Sequence, residues 1–533
     1  TGAQQQAIDV VTGQLGKFSP FLLEGVTGSG KTEVYLHLAR SLQAMGRQTL
    51  MLIPEIGLSE QLVKRFLRRF GTQADLLHSD LTDRAKALVW ARCQAGELSV
   101  LVGTRSALWT PLPRLGLIVV DEEHDASFKQ QEGFRYSARD VAVMRARQAG
   151  IPVLLGSATP SLESEANVRR GKYARLTLPE RAGGARPPTL RGLDVRGLPM
   201  MGGLGEALLG AMDAVLARGE QVLLFLNRRG FAPLTLCHAC GWIAQCERCD
   251  ARLVLHREHQ RLVCHHCGVS MPVTRLKTRC CAMPSHITLG VGTEQVEATL
   301  RERFPGRRVL RVDRDSMSRK GQFEAACESV RRGEVDILLG TQMLAKGHDF
   351  PQVTLVGVVD ADSRLFATDF RAAERFSQLI MQVAGRAGRG AKPGLVLVQT
   401  HHPNHPLLQP VLAHDYQAFV GMALEEREAA GLPPYAALAV LRAEANAPEI
   451  PDEFLTALRR KLKSALPDGV QVAGPFPATM ERRAGRYRAL LSLSATDRPA
   501  LALALRELIR LVEASPARNR VRWHLDVDPE DVG

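Results

Sequence analysis

The chain has 533 residues, 45% of them hydrophobic and 23% charged, a size that suits roughly three or four domains, each with its own core. No apolar run approaches the ~18 residues of a membrane span, which excludes a membrane-spanning reading and makes the cytoplasm the expected compartment. A net charge of +13 and a pI near 9.5 favour a polyanionic partner, nucleic acid foremost.

The first predicted element is a strand at Phe21, Leu22 and Leu23, followed by GVTGSGKT from Gly25 to Thr32 and a helical pattern from Val34 to Leu42. Strand, loop and helix in that order are the setting of an ATP phosphate loop. Gly25, Gly28 and Gly30, with Thr27 and Ser29 between them, let backbone amides close around phosphate oxygens. Lys31 then reaches the β and γ phosphates, and the Thr32 hydroxyl ligates Mg²⁺.

A buried strand, Leu117 to Val120, ends in Asp121, Glu122, Glu123 and His124. At a strand's carboxyl end, Asp121 is placed to hold Mg²⁺ and Glu122 to polarise an attacking water. The next strand, Val153 to Leu155, runs into Gly156, Ser157, Ala158 and Thr159, a small polar turn suited to pass the γ-phosphate state to its neighbours. A Gly-, Pro- and Arg-rich stretch from Arg181 to Gly205 reads as a linker, and strand–helix alternation resumes at Val222 to Leu226. That second unit ends in QVAGRAGRG, Gln382 to Gly390, where Arg386 and Arg389 are spaced to spread charge on a transferring phosphoryl group.

Within the second unit, eight of the chain's ten cysteines crowd into one stretch, as Cys237-x-x-Cys240, Cys246-x-x-Cys249, Cys264-x-x-Cys267 and an adjacent Cys280 and Cys281. Disulfide frameworks belong to small secreted chains, whereas thiolates two residues apart suit tetrahedral Zn²⁺. Six thiolates in three clean pairs make one complete site nearly unavoidable and a second expected. Thiolate-saturated sites have no open position, so the zinc is read as structural. His238, His256, His265 and His266 are read as surface or supporting residues, and His401, His402 and His405, in a Pro-punctuated connector, receive no role.

From about Tyr435 the pattern is strand, helix Asp452 to Leu466, strand Val470 to Ala473, strand Tyr487 to Leu493, helix Arg498 to Val512 and strand Val521 to Val527. That split βαβ order predicts a small α+β domain. MERRAGRYR, Met480 to Arg488, forms a basic hairpin that suits either DNA or bulk solvent.

Phosphate loop, Asp-Glu-x-His, Ser-Ala-Thr and Gln-x-x-Gly-Arg-x-Gly-Arg, in this order, resemble a superfamily 2 helicase. The cysteine-rich insert after LNRRGFAP (Leu226 to Pro233) is similar to that of the bacterial primosomal replication-restart helicases, the PriA (primosomal protein N′) family. PEIGL (Pro54 to Leu58), GTRSAL (Gly103 to Leu108), GTQMLAKGHDFP (Gly340 to Pro351) and DVDP (Asp526 to Pro529) extend the resemblance over essentially the whole chain. It implies an α/β fold with two RecA-like P-loop lobes, at 1–180 and at 206–236 with 287–434, joined by the linker 181–205. A zinc-binding insertion at 237–286 and a small α+β C-terminal domain at 435–533 complete it.

The resemblance also implies roles. Gln4 would read adenine. FKQQEGFRY would be an aromatic-rich loop whose Phe128, Phe134 and Tyr136 stack on bases, with Lys129 and Arg135 near phosphates. Thr104, Arg105 and Ser106 in lobe one and Thr341 in lobe two would grip the DNA backbone without reading sequence. Two zinc ions would bind in nested order, Cys246 and Cys249 with Cys264 and Cys267, and Cys237 and Cys240 with Cys280 and Cys281. The last pair departs from the family spacing, with Thr278 where a partner should stand, so a strained outer site completed by Cys280, His286 or a water is expected.

The implied activity is a DNA-dependent ATPase and 3′ to 5′ helicase at stalled or abandoned forks, initiating primosome assembly as a monomer in the bacterial nucleoid. Its implied partners are single-stranded and forked DNA, single-stranded DNA-binding protein and other primosome components. An RNA helicase and a zinc scaffold with a dispensable motor are the alternatives. The family's N-terminal fork-recognising region is absent and the sequence opens at Thr1, so a fragment with impaired fork recognition is expected.

Overall fold

The computed structural model describes the chain apart from residues 55–59, 182–186, 227–234, 249–251, 257–260, 265–268, 279, 282–284, 289–291, 314–315, 318–320, 342–343, 345–349, 368, 386, 388–391 and 533. Its fold is α/β, with two parallel sheets, a small cysteine-rich ribbon between two elements of the second, and an antiparallel C-terminal sheet.

The first sheet runs in the order Ala74–Leu77, Val100–Gly103, Gln48–Leu52, Leu115–Asp121, Val153–Ser157, Pro20–Gly25, Ala174–Leu178, every pair parallel. A parallel sheet is covered on both faces, so its strands are continuous apolar runs rather than alternating ones. Leu50 to Ile53, Val100 to Val102 and Leu117 to Val120 are accordingly all buried. The helix expected at Val34 to Leu42 spans Lys31–Ala44, begins at Gly30 in the left-handed region (φ 84°), and buries Val34, Tyr35, Leu38 and Leu42 against the sheet.

The second sheet has the order Val309–Val312, Ile337–Gly340, Gln221–Phe225, Val353–Val358, Leu395–Thr400, Thr189–Asp194, again all parallel. Its last strand corrects the linker reading of 181–205. Thr189–Asp194 pairs along its whole length with Leu395–Thr400, so this stretch supplies the edge strand of the second lobe before the helix Glu206–Ala217.

Between Gln221–Phe225 and the helix Thr293–Arg303 the chain makes an antiparallel pair, Thr235–Cys237 with His286–Thr288. Inside it lies a three-stranded ribbon, Val254–His256, Arg261–Val263 and Ser270–Pro272. The C-terminal sheet has the order Val470–Arg483, Arg486–Ala495, Ala437–Ala445, Arg522–Val527, with the helices Glu449–Leu462 and Arg498–Glu513 packed in one shared core. This is the split βαβ arrangement. The basic segment is a hairpin whose two turn residues, Ala484 (φ 49°) and Gly485 (φ 79°), both take the left-handed conformation of a tight two-residue turn.

Candidate functional site

The expected nucleotide site lies at the carboxyl end of the first sheet, where the strand Pro20–Gly25 opens into the phosphate-loop motif. The loop closes tightly on itself: a Cβ at Gly25 would fall 2.5 Å from Ser29 Oγ and 3.0 Å from Lys31 Cγ. Gly28 and Gly30 hold positive φ angles of 86° and 84°. Lys31 is buried and its ammonium donates to the Gly25 carbonyl at 2.7 Å. Gln4 donates from Nε2 to the Ser29 carbonyl at 2.8 Å, and its Oε1 accepts from the Thr1 ammonium at 2.8 Å, so its carboxamide is tied to the loop itself. Beside it, Thr1, Gly2, Ala3, Ser29, Leu178, Pro179 and Glu180 line a cavity of ≈ 250 Å³ adjoining the loop.

Asp121 and Glu122 stand two strands over, beyond Val153–Ser157. Burial, then the neighbouring Glu122 charge, pushes the Asp121 carboxyl up to about 7, against the opposing pull of Lys31 and of a hydrogen bond from Tyr35. That bond, Tyr35 Oη to Asp121 Oδ1 at 3.0 Å, was not foreseen from sequence, where Tyr35 is one more apolar position on a helix. Glu122 adopts a left-handed backbone (φ 48°), and its buried Oε2 has no hydrogen-bond partner, His124 Nδ1 lying 3.7 Å away. The half-buried Asp121 carboxylate, near the Lys31 charge, and the orphaned Glu122 oxygen fit a divalent cation and a water.

The third carboxylate of the box works differently. Glu123 accepts from the Ser161 amide (2.7 Å), Ser161 Oγ (3.0 Å) and Ser164 Oγ (2.9 Å), and pairs with Arg139 (3.3 Å). It therefore ties the acidic box to the residues that follow Ser157–Thr159. His124 joins the two lobes: Gln382 donates its amide to Nε2 at 2.7 Å, leaving Nδ1 to donate to Ser157 Oγ at 2.7 Å. Gly385, at the end of the same helix, backs onto the phosphate loop so closely that a Cβ there would sit 3.0 Å from the Thr27 side chain. Arg386 and Arg389 lie outside the described residues.

On the expected DNA side the predicted residues divide. Phe134 is 75% exposed and stacks on Tyr136 at 5.7 Å, whereas Phe128 is 2% exposed within the lobe-one core. Phe128 thus packs as a core residue, and its ring offers no face to a base. Arg105 is likewise turned inward, donating from Nη1 to the Ser127 and Lys129 carbonyls at 2.7 and 2.8 Å, and Lys129 is buried. Ser106 is exposed, Thr104 half-buried, and Thr341 buried at the end of Ile337–Gly340. Trp109, 49% exposed, was missed: its Nε1 donates to the Tyr136 hydroxyl at 2.9 Å and its ring meets Tyr136 edge-on at 5.2 Å.

Cys237, Cys240, Cys280 and Cys281 come together with their sulfurs all within 4.8 Å of one another. A tetrahedron of Zn–S bonds of ~2.3 Å has edges of roughly 3.8 Å. Cys237 and Cys281 are 3.8 Å apart and the adjacent Cys280 and Cys281 3.9 Å, so neighbouring residues reach two corners of such a tetrahedron. Burial pushes the Cys237 thiol up, but backbone hydrogen bonds from Ser285 and Cys240 and the neighbouring thiols bring it down to about 6, while burial and Cys237 push Cys280 up to about 12. One thiolate crowded by thiols is a set that a cation completes.

Of the inner set, Cys246 and Cys264 share a buried cluster with Leu253, Leu262 and Met271; Cys249 and Cys267 lie outside the described residues, as does the side chain of His286. No disulfide joins any described cysteine. One connector histidine acquires a role: Asp362 accepts from His401 Nδ1 at 2.7 Å, and His401 Nε2 lies 2.9 Å from His238 Nδ1, fastening the Cys237 knuckle to the second lobe.

Residues 1–168 match the DEAD/DEAH box helicase family, 246–272 the PriA DNA helicase Cys-rich region, 287–391 the helicase conserved C-terminal domain and 428–530 the primosomal protein N C-terminal domain. The chain is 48% identical over 518 residues to the replication restart protein PriA of Haemophilus influenzae, covering 97% of this chain and 70% of that protein. It is 39% identical over 515 residues to the replication restart protein PriA of Bacillus subtilis, covering 96% of this chain and 64% of that protein. Among solved structures, RecG bound to a three-way DNA junction aligns with a TM-score of 0.48 and 16% identity, covering 80% of this chain and 47% of that one.

Proposed function

The chain belongs to the replication restart protein PriA family, a family of helicases, and on that footing we propose that it is a DNA-dependent ATPase that moves 3′ to 5′ along single-stranded DNA. It acts at stalled or abandoned replication forks and begins primosome assembly there, with single-stranded DNA-binding protein and other primosome components as partners, as a monomer in the nucleoid. The observation that carries this reading is the contact of Gln382 with His124, which ties the nucleotide-facing acidic box of one lobe to the other lobe's Gln-x-x-Gly helix.

Hydrolysis uses the chain's own groups as follows. Lys31, released from the Gly25 carbonyl, meets the β and γ phosphates. Glu122 aligns water through its free carboxylate oxygen for attack on the γ-phosphorus, the bond to the bridging oxygen breaks, and ADP and phosphate leave. Asp121 and Thr32 would hold Mg²⁺, which when bound neutralises phosphate charge. Loss of the γ-phosphate changes what Glu122 and His124 contact, and Gln382 carries the change to lobe two. Phe134, Tyr136 and the exposed Ser106 are the DNA-side contacts, and the two cysteine sets hold structural zinc.

Strand displacement tests this. Duplexes with a 3′ single-stranded tail should be unwound with ATP and those with only a 5′ tail left intact; unwinding of the 5′-tailed duplex alone reverses the direction, and unwinding of neither refutes the helicase reading.

A further inference from the structure

Asp526 to Pro529 plays no part in the nucleotide cleft, yet the segment ends among the motor's working parts. The side chains of Lys129 and Asp526 are each 3% exposed, and Lys129 Nζ lies 3.0 Å from Asp526 Oδ1 and 2.5 Å from the Val527 carbonyl. Asp526 is itself fixed in the C-terminal sheet by Arg442, 3.3 Å from its other oxygen. An ion pair this buried cannot be dismissed as an exposed one would be, because removing either partner strands a charge out of water.

Lys129 is the root of the aromatic loop. Its backbone bridges Ser137, closing the loop, and its carbonyl is one of the two that accept from Arg105. Toward the amino terminus the chain is only five residues from His124 of the acidic box. Beyond the root stand the exposed rings. The same C-terminal segment also reaches lobe two, where Glu530 pairs with Arg375 at 2.8 Å on the helix that carries Gln382.

The geometry points to Lys129 and Asp526 as positioning residues: the C-terminal domain pins the root of the aromatic loop through this buried pair, so that DNA on the loop alters the acidic box instead of only displacing the loop. This rests on the DNA-driven ATPase proposed above. Both side chains are buried away from the exposed face of the loop. A loop with a loose root binds DNA without transmitting the binding; one with a fixed root transmits it.

The test is steady-state ATP hydrolysis by the parent, D526N and the K129M/D526N pair, without nucleic acid and across a range of oligo(dT) concentrations. The expected result is a DNA stimulation factor reduced about tenfold in both variants, within the usual range of coupling between sites, with the unstimulated rate equal to the parent's. Should D526N fail to fold, K129M/D526N, which buries no unpaired ammonium, carries the test alone. Stimulation equal to the parent's in the paired variant overturns the proposal, as does a fall of equal factor with and without DNA. A parent that DNA does not stimulate overturns the ATPase reading and this inference with it, whereas a stimulated parent with equally stimulated variants overturns the inference alone.

Discussion

Tyr35→Phe removes one oxygen from the core of the cleft. The Tyr35 hydroxyl is fully buried, and burial first, then Asp121, keeps it protonated far above any working pH, so it is a permanent donor to Asp121. A hydrogen bond to a charged group contributes about 1.5–3 kcal/mol, and each 1.4 kcal/mol is tenfold in an equilibrium. Burial and Glu122 already hold Asp121 up to about 7, and Tyr35 is among the groups that bring it down. Without the hydroxyl the Asp121 carboxyl moves higher, and the ionised form proposed to accept Mg²⁺ is harder to reach by about tenfold. The sign follows: a carboxyl with a raised pKa needs a higher pH to ionise, so the acid limb of the ATPase profile shifts alkaline. Steady-state hydrolysis over pH 6–9 at several Mg²⁺ concentrations should show that shift, with about fivefold more Mg²⁺ needed at half-maximal rate near pH 7 and partial recovery at high pH. Gly156→Ala should act in the same direction and more strongly, since its Cβ would lie 1.8 Å from the Tyr35 hydroxyl. Unchanged pH and Mg²⁺ profiles in Tyr35→Phe would refute the reasoning.

Gly30→Ala should raise the KM for ATP at least tenfold, because its Cβ would stand 2.2 Å from Gln4 Nε2 at a φ of +84°; an unaltered KM would show that the loop gives way freely. Atomic spectroscopy should find two zinc ions per chain, falling to one in C281S; a single ion in the parent would mean that the outer cysteines hold none. His524 is held down to about 4 by burial and then by Arg135 and Arg442, so the folded chain binds this proton less readily than the unfolded chain. Its effect on stability is absent well above pH 6.5 and grows as pH falls toward 4. After allowance for solvent screening, H524Q should therefore gain about 1 kcal/mol over the parent at pH 5 and nothing from this source at pH 8, read by denaturant unfolding; an equal gain at both would contradict it.

The phosphate loop and acidic box were legible in sequence because each needs a buried strand, a special turn and a charged residue in fixed order, and chance rarely supplies all three. The C-terminal α+β pattern was legible because its strands and helices differ in period. The edge strand Thr189–Asp194 was not, since half-exposed residues between Gly- and Pro-rich flanks carry the composition of a linker. Phe128 and Phe134 have the same chemistry six positions apart, and only the turn between them sends one inward and one outward. Cys280 and Cys281 looked too close to share an ion, yet the chain path there delivers both sulfurs at a tetrahedral edge. Tyr35 and His401 were hidden for another reason: their partners, Asp121 and His238, are far away in sequence.

The proposed function is that of a motor driven by ATP and switched on by DNA. It is tested most directly by ATP hydrolysis without nucleic acid and with single-stranded DNA, forked DNA or RNA, for the parent and Lys31→Ala. The expected result is stimulation by both DNAs, little by RNA, and no hydrolysis in Lys31→Ala. Preference for RNA, or a parent as inactive as Lys31→Ala on every substrate, would contradict it.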